Sequence, residues 1–180
     1  MIDNRNVIDM YKYLEVETIR EDLNTRRLPF ISVFEHVNGD FNKATGIRNH
    51  NAFLGQRVYL VGKQAKRYDK RGAVGTYNYE DVRFVDNFEN LIEDMSLEEA
   101  AAYHWVAVDN VPGAKNIYNY KFHRNTVFVF GEEQRGVSEF MLDHCDDTIY
   151  IPQQGSVRSL NVGTASGIAM YEYSRQFRNA

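Results

Sequence analysis

Thr126-Val127-Phe128-Val129-Phe130-Gly131-Glu132-Glu133-Gln134-Arg135-Gly136 opens as a continuous apolar run and closes as a polar loop between two glycines. A run of that kind fits a β-strand covered on both faces, the situation of a parallel sheet. It stops at Gly131, and a helix from about Ser138 to Cys145 follows. Shorter runs of the same type lie on either side: Phe30–Phe34, Arg57–Val61, Val82–Val85 and Trp105–Val108 before it, Thr148–Ile151 after it. Between them lie helical stretches: Val7–Leu23, whose apolar spacing approximates a helical face, 42–54, where Gly46 and three asparagines lower the propensity, Phe88–Tyr103 and Asn161–Arg178. Ser96 and Glu99 form a capping box, which divides the Phe88–Tyr103 stretch in two. Residues 63–81 are too polar for a core and read as a surface loop, and residues 111–125 read as a connector. Six strands alternating with helices predict an α/β protein with a parallel sheet between two helical layers. Ligands of such sheets sit at the carboxyl ends of the strands, here the loops after Gly131 and Pro152.

The chain has 180 residues, 43% hydrophobic and 26% charged, with only three prolines. That usage excludes a disordered or collagen-like chain, and the length suits one domain. Cys145 is the sole cysteine, so an intrachain disulfide and a cysteine-rich zinc site are both excluded. A net charge of −4 excludes a uniformly basic coat for nucleic acid, though not a local basic patch. No apolar run approaches the roughly 18 residues of a membrane span. The charged amino terminus lacks the apolar segment of a signal peptide, so a soluble, reducing, cytoplasmic setting is expected.

The common catalytic fingerprints are missing. There is no G-x-G-x-x-G after the first strand, no P-loop, no H-E-x-x-H, no C-x-x-C and no G-x-S-x-G. The five histidines are scattered, so no metal centre is expected. Three segments exceed what scaffolding needs. In Asn42-Lys43-Ala44-Thr45-Gly46-Ile47-Arg48 an arginine is available to grip a phosphate, with Gly46 permitting close backbone approach; a surface arginine on a helix is the ordinary alternative. Gly131–Gly136 brackets two acids, one of which could orient Arg48, or the loop is merely a polar connector. In Ile151-Pro152-Gln153-Gln154-Gly155-Ser156-Val157-Arg158-Ser159-Leu160-Asn161-Val162, Ser159 and Asn161 can both cap the last helix. The small residues Gly163, Ala165, Ser166, Gly167 and Ala169 that follow suit an unusually close neighbour.

Taken together, and in this order, the three segments resemble the motifs of the SpoU (TrmH-like) branch of the SPOUT RNA methyltransferases. The first motif is Asn, five residues, then Arg (Asn42, Arg48); the second is F-G-x-E-x-x-G (Phe130–Gly136). The third is I-P followed by S-L-N-V (Ile151-Pro152, Ser159–Val162), and the likeness covers about residues 30–178. The resemblance implies a parallel-sheet SPOUT fold whose carboxyl-terminal segment threads a deep trefoil knot, a homodimer, and S-adenosylmethionine as cofactor. It implies methylation of ribose 2′-hydroxyls in transfer or ribosomal RNA. Carried over by motif, the catalytic positions are Asn42, Arg48, Glu133, Ser159 and Asn161. Cofactor contacts fall at Gly131, Ile151, Ser159 and Leu160, with Val108 at a strand end. Gln153 departs from the methionine common after the Ile-Pro pair. On this pattern residues 1–28 are a helical extension and 29–180 the methyltransferase domain.

RNA would need a cationic surface, and Lys63, Lys66, Arg67, Lys70 and Arg71, with Tyr68 among them, are the best candidates. Arg26 and Arg27 are candidates to extend that patch, while a solvated loop is the plain alternative. A second reading makes the chain a catalytically idle RNA-binding protein or dimer partner, and a third an unrelated nucleotide-binding α/β protein. The intact Asn42, Arg48, Glu133 and Asn161 argue for the enzyme.

Overall fold

A computed structural model describes residues 3–63 and 70–178, with the side chains of Lys70 and Arg178 left aside. Seven strands form one parallel sheet: β1 (Phe30–Glu35), β2 (Arg57–Val61), β3 (Val82–Val85), β4 (His104–Val108), β5 (Lys115–Asn116), β6 (Thr126–Phe130) and β7 (Asp147–Tyr150). Their order across the sheet is β3-β2-β1-β6-β4-β7-β5. Six were expected; the seventh, β5, is a two-residue strand on the edge, too short to leave a pattern in the sequence.

Neighbouring β1 and β6 show why the sheet needs both helical layers. Their register pairs Phe30 with Thr126, Val33 with Val129 and Phe34 with Phe130. Alternation along each strand sends Phe30, Phe34, Phe128 and Phe130 to one face and Ile31, Val33, Val127 and Val129 to the other. The aromatic face lies under α2 (Asp40–Ala52) and α6 (Val162–Arg178), which contribute Ile47, Ala169, Met170 and Tyr173. The aliphatic face lies under α3 (Phe88–Met95), α4 (Leu97–Ala101) and α5 (Glu139–His144), through Leu91, Met95, Ala100 and Met141. Full burial of each large apolar side chain contributes about 1.5–3 kcal/mol.

Glycine lets the aromatic layer close up. A β-carbon on Gly46 would meet the Phe34 ring, so this glycine seats α2 on the sheet instead of leaving room for a ligand as the sequence suggested. Gly163 and Gly167 bring α6 against Thr45 and Asn49 of α2 in the same way, and Asn49 Nδ2 donates to the Gly163 carbonyl at 2.7 Å.

The amino-terminal stretch corrects a second expectation. The helix expected over Val7–Leu23 is broken into a 3-10 turn, Asp9–Tyr11, and α1 (Val16–Asn24), because Tyr13 takes a left-handed conformation, φ 66°. Tyr11, Ile19 and Leu23 pack on Leu54 and Tyr79 as a small cluster of their own. Residues 71–81 are less superficial than their polarity suggested: Ala73, Thr76, Tyr79 and Glu80 are buried. Arg27 is buried against them, bound to Glu80 Oε2 at 2.7 Å and to the Gly55 and Tyr79 carbonyls. Buried in this way, Arg27 extends no basic patch, while Arg26 is exposed and pairs with Asp22. Among the described residues no helix is long and apolar enough to cross a membrane, and no group of acidic, histidine or cysteine side chains is placed to hold a metal ion.

Candidate active site

The chain leaves β1 toward β2 and leaves β6 in the opposite direction, toward β7 on the far side of β4. Adjacent strands whose outgoing connections diverge open a crevice at their carboxyl ends, where ligands of α/β sheets bind. The loop after β1 carries Asn38 and leads into Asn42 on the first turn of α2; the loop after β6 carries Glu132 and Glu133.

These groups meet. Asn42 Nδ2 donates to Glu133 Oε1 at 2.6 Å, the Gly39 amide donates to the same oxygen at 3.1 Å, and the Asn38 amide reaches Oε2 at 3.3 Å. Asn161 Nδ2 donates to Asn42 Oδ1 at 2.8 Å, while Asn161 Oδ1 caps α6 by accepting from the Thr164 amide at 3.2 Å. An ionised carboxylate only accepts, so each amide orientation follows from the next, and the chain Asn161–Asn42–Glu133 has one consistent direction. Burial works to raise the Glu133 pKa, but the donors from Asn42, Gly39 and Asn38 outweigh it and hold the carboxyl below its ordinary value. One residue from each of the three motif segments is thus joined in a single hydrogen-bonded unit.

Beside this unit, at the carboxyl ends of β4, β6 and β7, lies a cleft of about 780 Å³. Val108, Gly131, Ile151, Ser159 and Leu160 all line it. Its floor depends on two glycines. Glu132 and Gly136 exchange backbone hydrogen bonds at 2.9 and 2.8 Å, which folds the loop back on Gly131. A β-carbon on Gly131 would run into the Gly136 carbonyl group and the Val137 nitrogen. Gly136 adopts φ 75° and is backed by Asp109, whose carboxylate accepts from the Val137 amide at 2.7 Å. The cleft wall also holds Gln153 Oε1, buried and without a hydrogen-bond partner. An orphaned acceptor in a cleft wall fits a ligand that brings a donor.

The structure separates some residues that the sequence grouped. Arg48 does not touch Glu132 or Glu133, contrary to the expected pairing, because six residues along a helix turn through about 240° and carry it away from the Asn42 face. It is exposed and has no ion pair among the described residues. Ser159 lines the cleft without joining the hydrogen-bonded unit. Of the basic residues, Lys63 and Arg71 are exposed, while Lys66, Arg67 and the Lys70 side chain lie outside the described residues. Sequence reasoning missed Asn38 and Asp109, and met Glu132 only as one of the two acids between Gly131 and Gly136. Asn38-Gly39 is a turn signal just before a helix, and Asp109 directly follows a buried strand; both positions were visible as punctuation only.

Comparison with known proteins gives the family. The sequence model of the SpoU rRNA Methylase family matches residues 29–171, and the chain belongs to that family. It is 27% identical to the tRNA (guanosine(18)-2′-O)-methyltransferase of Aquifex aeolicus, over 89% of this chain and 76% of the relative. It is also 27% identical to the 23S rRNA (guanosine-2′-O-)-methyltransferase RlmB of Haemophilus influenzae, over 92% of this chain and 67% of that one. Among solved structures, the SpoU methyltransferase AviRb of Streptomyces viridochromogenes in complex with the cofactor AdoMet superposes with a TM-score of 0.75 at 26% identity. That match covers 83% of this chain and 58% of AviRb.

Proposed function

We propose that this protein transfers the methyl group of S-adenosylmethionine to a ribose 2′-hydroxyl of RNA, in tRNA or rRNA. The observation that carries the reading is the Asn161–Asn42–Glu133 unit at the edge of the 780 Å³ cleft. The cleft volume falls in the range of about 300–1,000 Å³ typical of small-molecule sites. Its residues fit the cofactor: the Gly131–Gly136 crossing leaves backbone at the surface, and Gln153 Oε1 offers an unused acceptor for an amino group. When bound, S-adenosylmethionine supplies a sulfonium-activated methyl group. Val108, Gly131, Ile151, Ser159 and Leu160, which line the cleft, would hold it, with the folded loop closing one side.

In this reading Glu133 is a positioning residue. Its carboxylate is occupied by donors and held below its usual pKa, so it fixes Asn38 and Asn42 instead of taking a proton at neutral pH. Asn42, Asn161 and Ser159 present polar groups to the acceptor ribose. A guanidinium donates hydrogen bonds and does not accept them, so Arg48 is not the base. It lines neither cleft of this chain, and its part is to grip a neighbouring phosphate of the bound RNA.

The same reading includes a pair of chains, a trefoil knot, a cytoplasmic setting and residues 1–28 as an extension on a catalytic domain of 29–180. Pairing is supported by the apolar surface of Phe53, Ile168 and Tyr171 on α2 and α6. The knot is supported by the order β6-β4-β7 with α6 folded back over the β1–β6 face. The extension is supported by the separate Tyr11–Ile19–Leu23 cluster. Lys63 and Arg71, with Lys66, Arg67 and Lys70 in the same stretch, track the RNA backbone. The test is transfer of labelled methyl from S-adenosylmethionine to total tRNA and, separately, rRNA. Label in one pool that is lost with Arg48→Ala supports the reading; cofactor binding without transfer to either pool supports the idle RNA-binding alternative.

A further inference from the structure

A second cavity, of about 290 Å³, opens at the carboxyl ends of β1, β2 and β3. It lies across a thin partition from the cofactor cleft. Asn38 lines the second cavity and Glu132 and Glu133 line the first, joined by Asn38 Nδ2 donating to Glu132 Oε1 at 3.0 Å and the Asn38 amide reaching Glu133 Oε2 at 3.3 Å. Asn38 and the Glu132–Glu133 pair therefore form the wall shared by the two cavities.

The lining of the second cavity is chemically mixed. Phe34 and Leu60 form an apolar floor, Lys43 and Lys63 bring positive charge, and Asp86 brings a carboxylate. Lys63 and Asp86 are exposed and make no hydrogen bond or ion pair among the described residues. The rim is built from unusual backbone: His36 stands at φ 51° and Gly62 at φ 127°, the His36 amide donating to the Val61 carbonyl at 2.9 Å and the Gly62 amide to that of Val85 at 2.9 Å. A left-handed non-glycine residue costs on the order of 1 kcal/mol and is retained most often beside functional surfaces.

We propose that this cavity is the subsite for the acceptor nucleotide, that Asp86 selects guanine there, and that Lys63 holds the nucleotide's phosphate. The proposal rests on the methyltransferase reading above. A carboxylate accepts and never donates, so it is satisfied best by two adjacent donors. Guanine offers that pair in its ring N1–H and its 2-amino group; adenine offers an amino group beside an acceptor, and uracil a lone ring N–H. Unpaired bases are read on this edge in single-stranded RNA and in flipped nucleotides. With the base on the apolar floor, the ribose is turned toward Asn38, the side that faces the methyl donor's cleft.

The test uses the full-length protein saturated with S-adenosylhomocysteine, with guanosine, inosine and adenosine 5′-monophosphates as probes. Backbone amide shifts of Asn38, Gly62, Lys63 and Asp86 are followed by NMR. Guanosine monophosphate is expected to move these amides, inosine monophosphate, which lacks the 2-amino group, to bind several-fold more weakly, and adenosine monophosphate to leave them still. Asp86→Asn is expected to weaken the guanosine nucleotide by about 5- to 100-fold, the range of one bidentate base contact. It should leave the melting temperature and S-adenosylhomocysteine affinity unchanged, which separates recognition from folding. Equal response to all three nucleotides overturns the guanine assignment. Shifts confined to other regions overturn the subsite, and do so without touching the enzymatic reading if labelled methyl still reaches RNA. Guanine-selective shifts with no methyl transfer to any RNA sustain the subsite and sink the enzymatic reading alone.

Discussion

Replacing Gly131 with alanine adds one methyl group at the crossing that floors the candidate cofactor cleft. The new β-carbon would lie within 3.0 Å of the Gly136 carbonyl group and the Val137 nitrogen, closer than real β-carbons come. Those atoms are backbone, and they have no easy escape. Gly136 is tied to Glu132 by two hydrogen bonds, at 2.8 and 2.9 Å, and backed by the Asp109 carboxylate, which itself holds the Val137 amide. Relief requires opening that pair, at about 1 kcal/mol for each hydrogen bond, and absorbing an overpacking strain of about 1–3 kcal/mol. The expected loss is therefore about 3–5 kcal/mol, a large share of the roughly 5–15 kcal/mol that stabilises a folded domain. For a chain of this length that lowers the melting temperature by roughly 6–20 °C. The assay is a thermal melt with and without S-adenosylhomocysteine; the variant should melt early and lose most of the ligand's stabilising shift. Gly155→Ala, where a β-carbon meets nothing within 4 Å, is the matched control and should behave as wild type. A Gly131→Ala protein that melts within 2 °C of wild type and binds the ligand normally would refute the argument about this crossing.

Arg48→Ala should leave the melting temperature within about 2 °C and S-adenosylhomocysteine affinity unchanged, because the side chain is exposed. Methyl transfer to RNA should fall by about 100-fold or more, and a variant keeping half its activity would remove Arg48 from the mechanism. Gln153→Met removes the orphaned acceptor from the cleft wall: calorimetry should show S-adenosylhomocysteine binding about 2- to 10-fold weaker with no loss of thermal stability, and unchanged affinity would show that Oε1 takes no part. Glu80 supplies a pH dependence. Burial raises its pKa to about 7 against the pull of Arg27 and Asn51, while the unfolded group titrates near 4.5. The folded state thus binds the extra proton, so wild type should gain stability over Glu80→Gln as pH falls from 7 to 4.5, by about 3 kcal/mol, and lose it as pH rises through 7. Urea midpoints of both proteins at pH 4.5, 5.5 and 7.5 check the sign, and parallel or reversed profiles would contradict it.

The sheet was legible because its strands are apolar runs with sharp ends. Thr126–Phe130 stops at a glycine, and the break at Ser96 announced itself by a capping box, with Ser96 Oγ accepting from the Glu99 amide as that pattern requires. The candidate cleft was legible for a related reason: Gly131 and Ile151 follow strand ends and Leu160 directly precedes a helix cap, where topology places ligands. What failed to show depended on long-range contacts. Nothing local marks Tyr13 for a left-handed turn, and Arg27 looked like any surface arginine until Glu80, 53 residues later, buried it. Gly46 shows a subtler limit, since a glycine that admits a ligand and one that admits a phenylalanine ring read alike. Asn38 stayed hidden because its part is played through Glu132 and Glu133, 94 and 95 positions away.

A 2′-O-methyl group leaves a chemical mark that a base methyl does not, because the adjacent phosphodiester can no longer be cut by its own ribose hydroxyl. The decisive measurement is therefore alkaline hydrolysis of RNA that this protein has labelled from methyl-labelled S-adenosylmethionine, followed by separation of mono- and dinucleotides. Label in alkali-resistant dinucleotides with the methylated guanosine on the 5′ side is the result expected here. Label released in mononucleotides would place the methyl on a base and contradict the assignment of the ribose hydroxyl as acceptor.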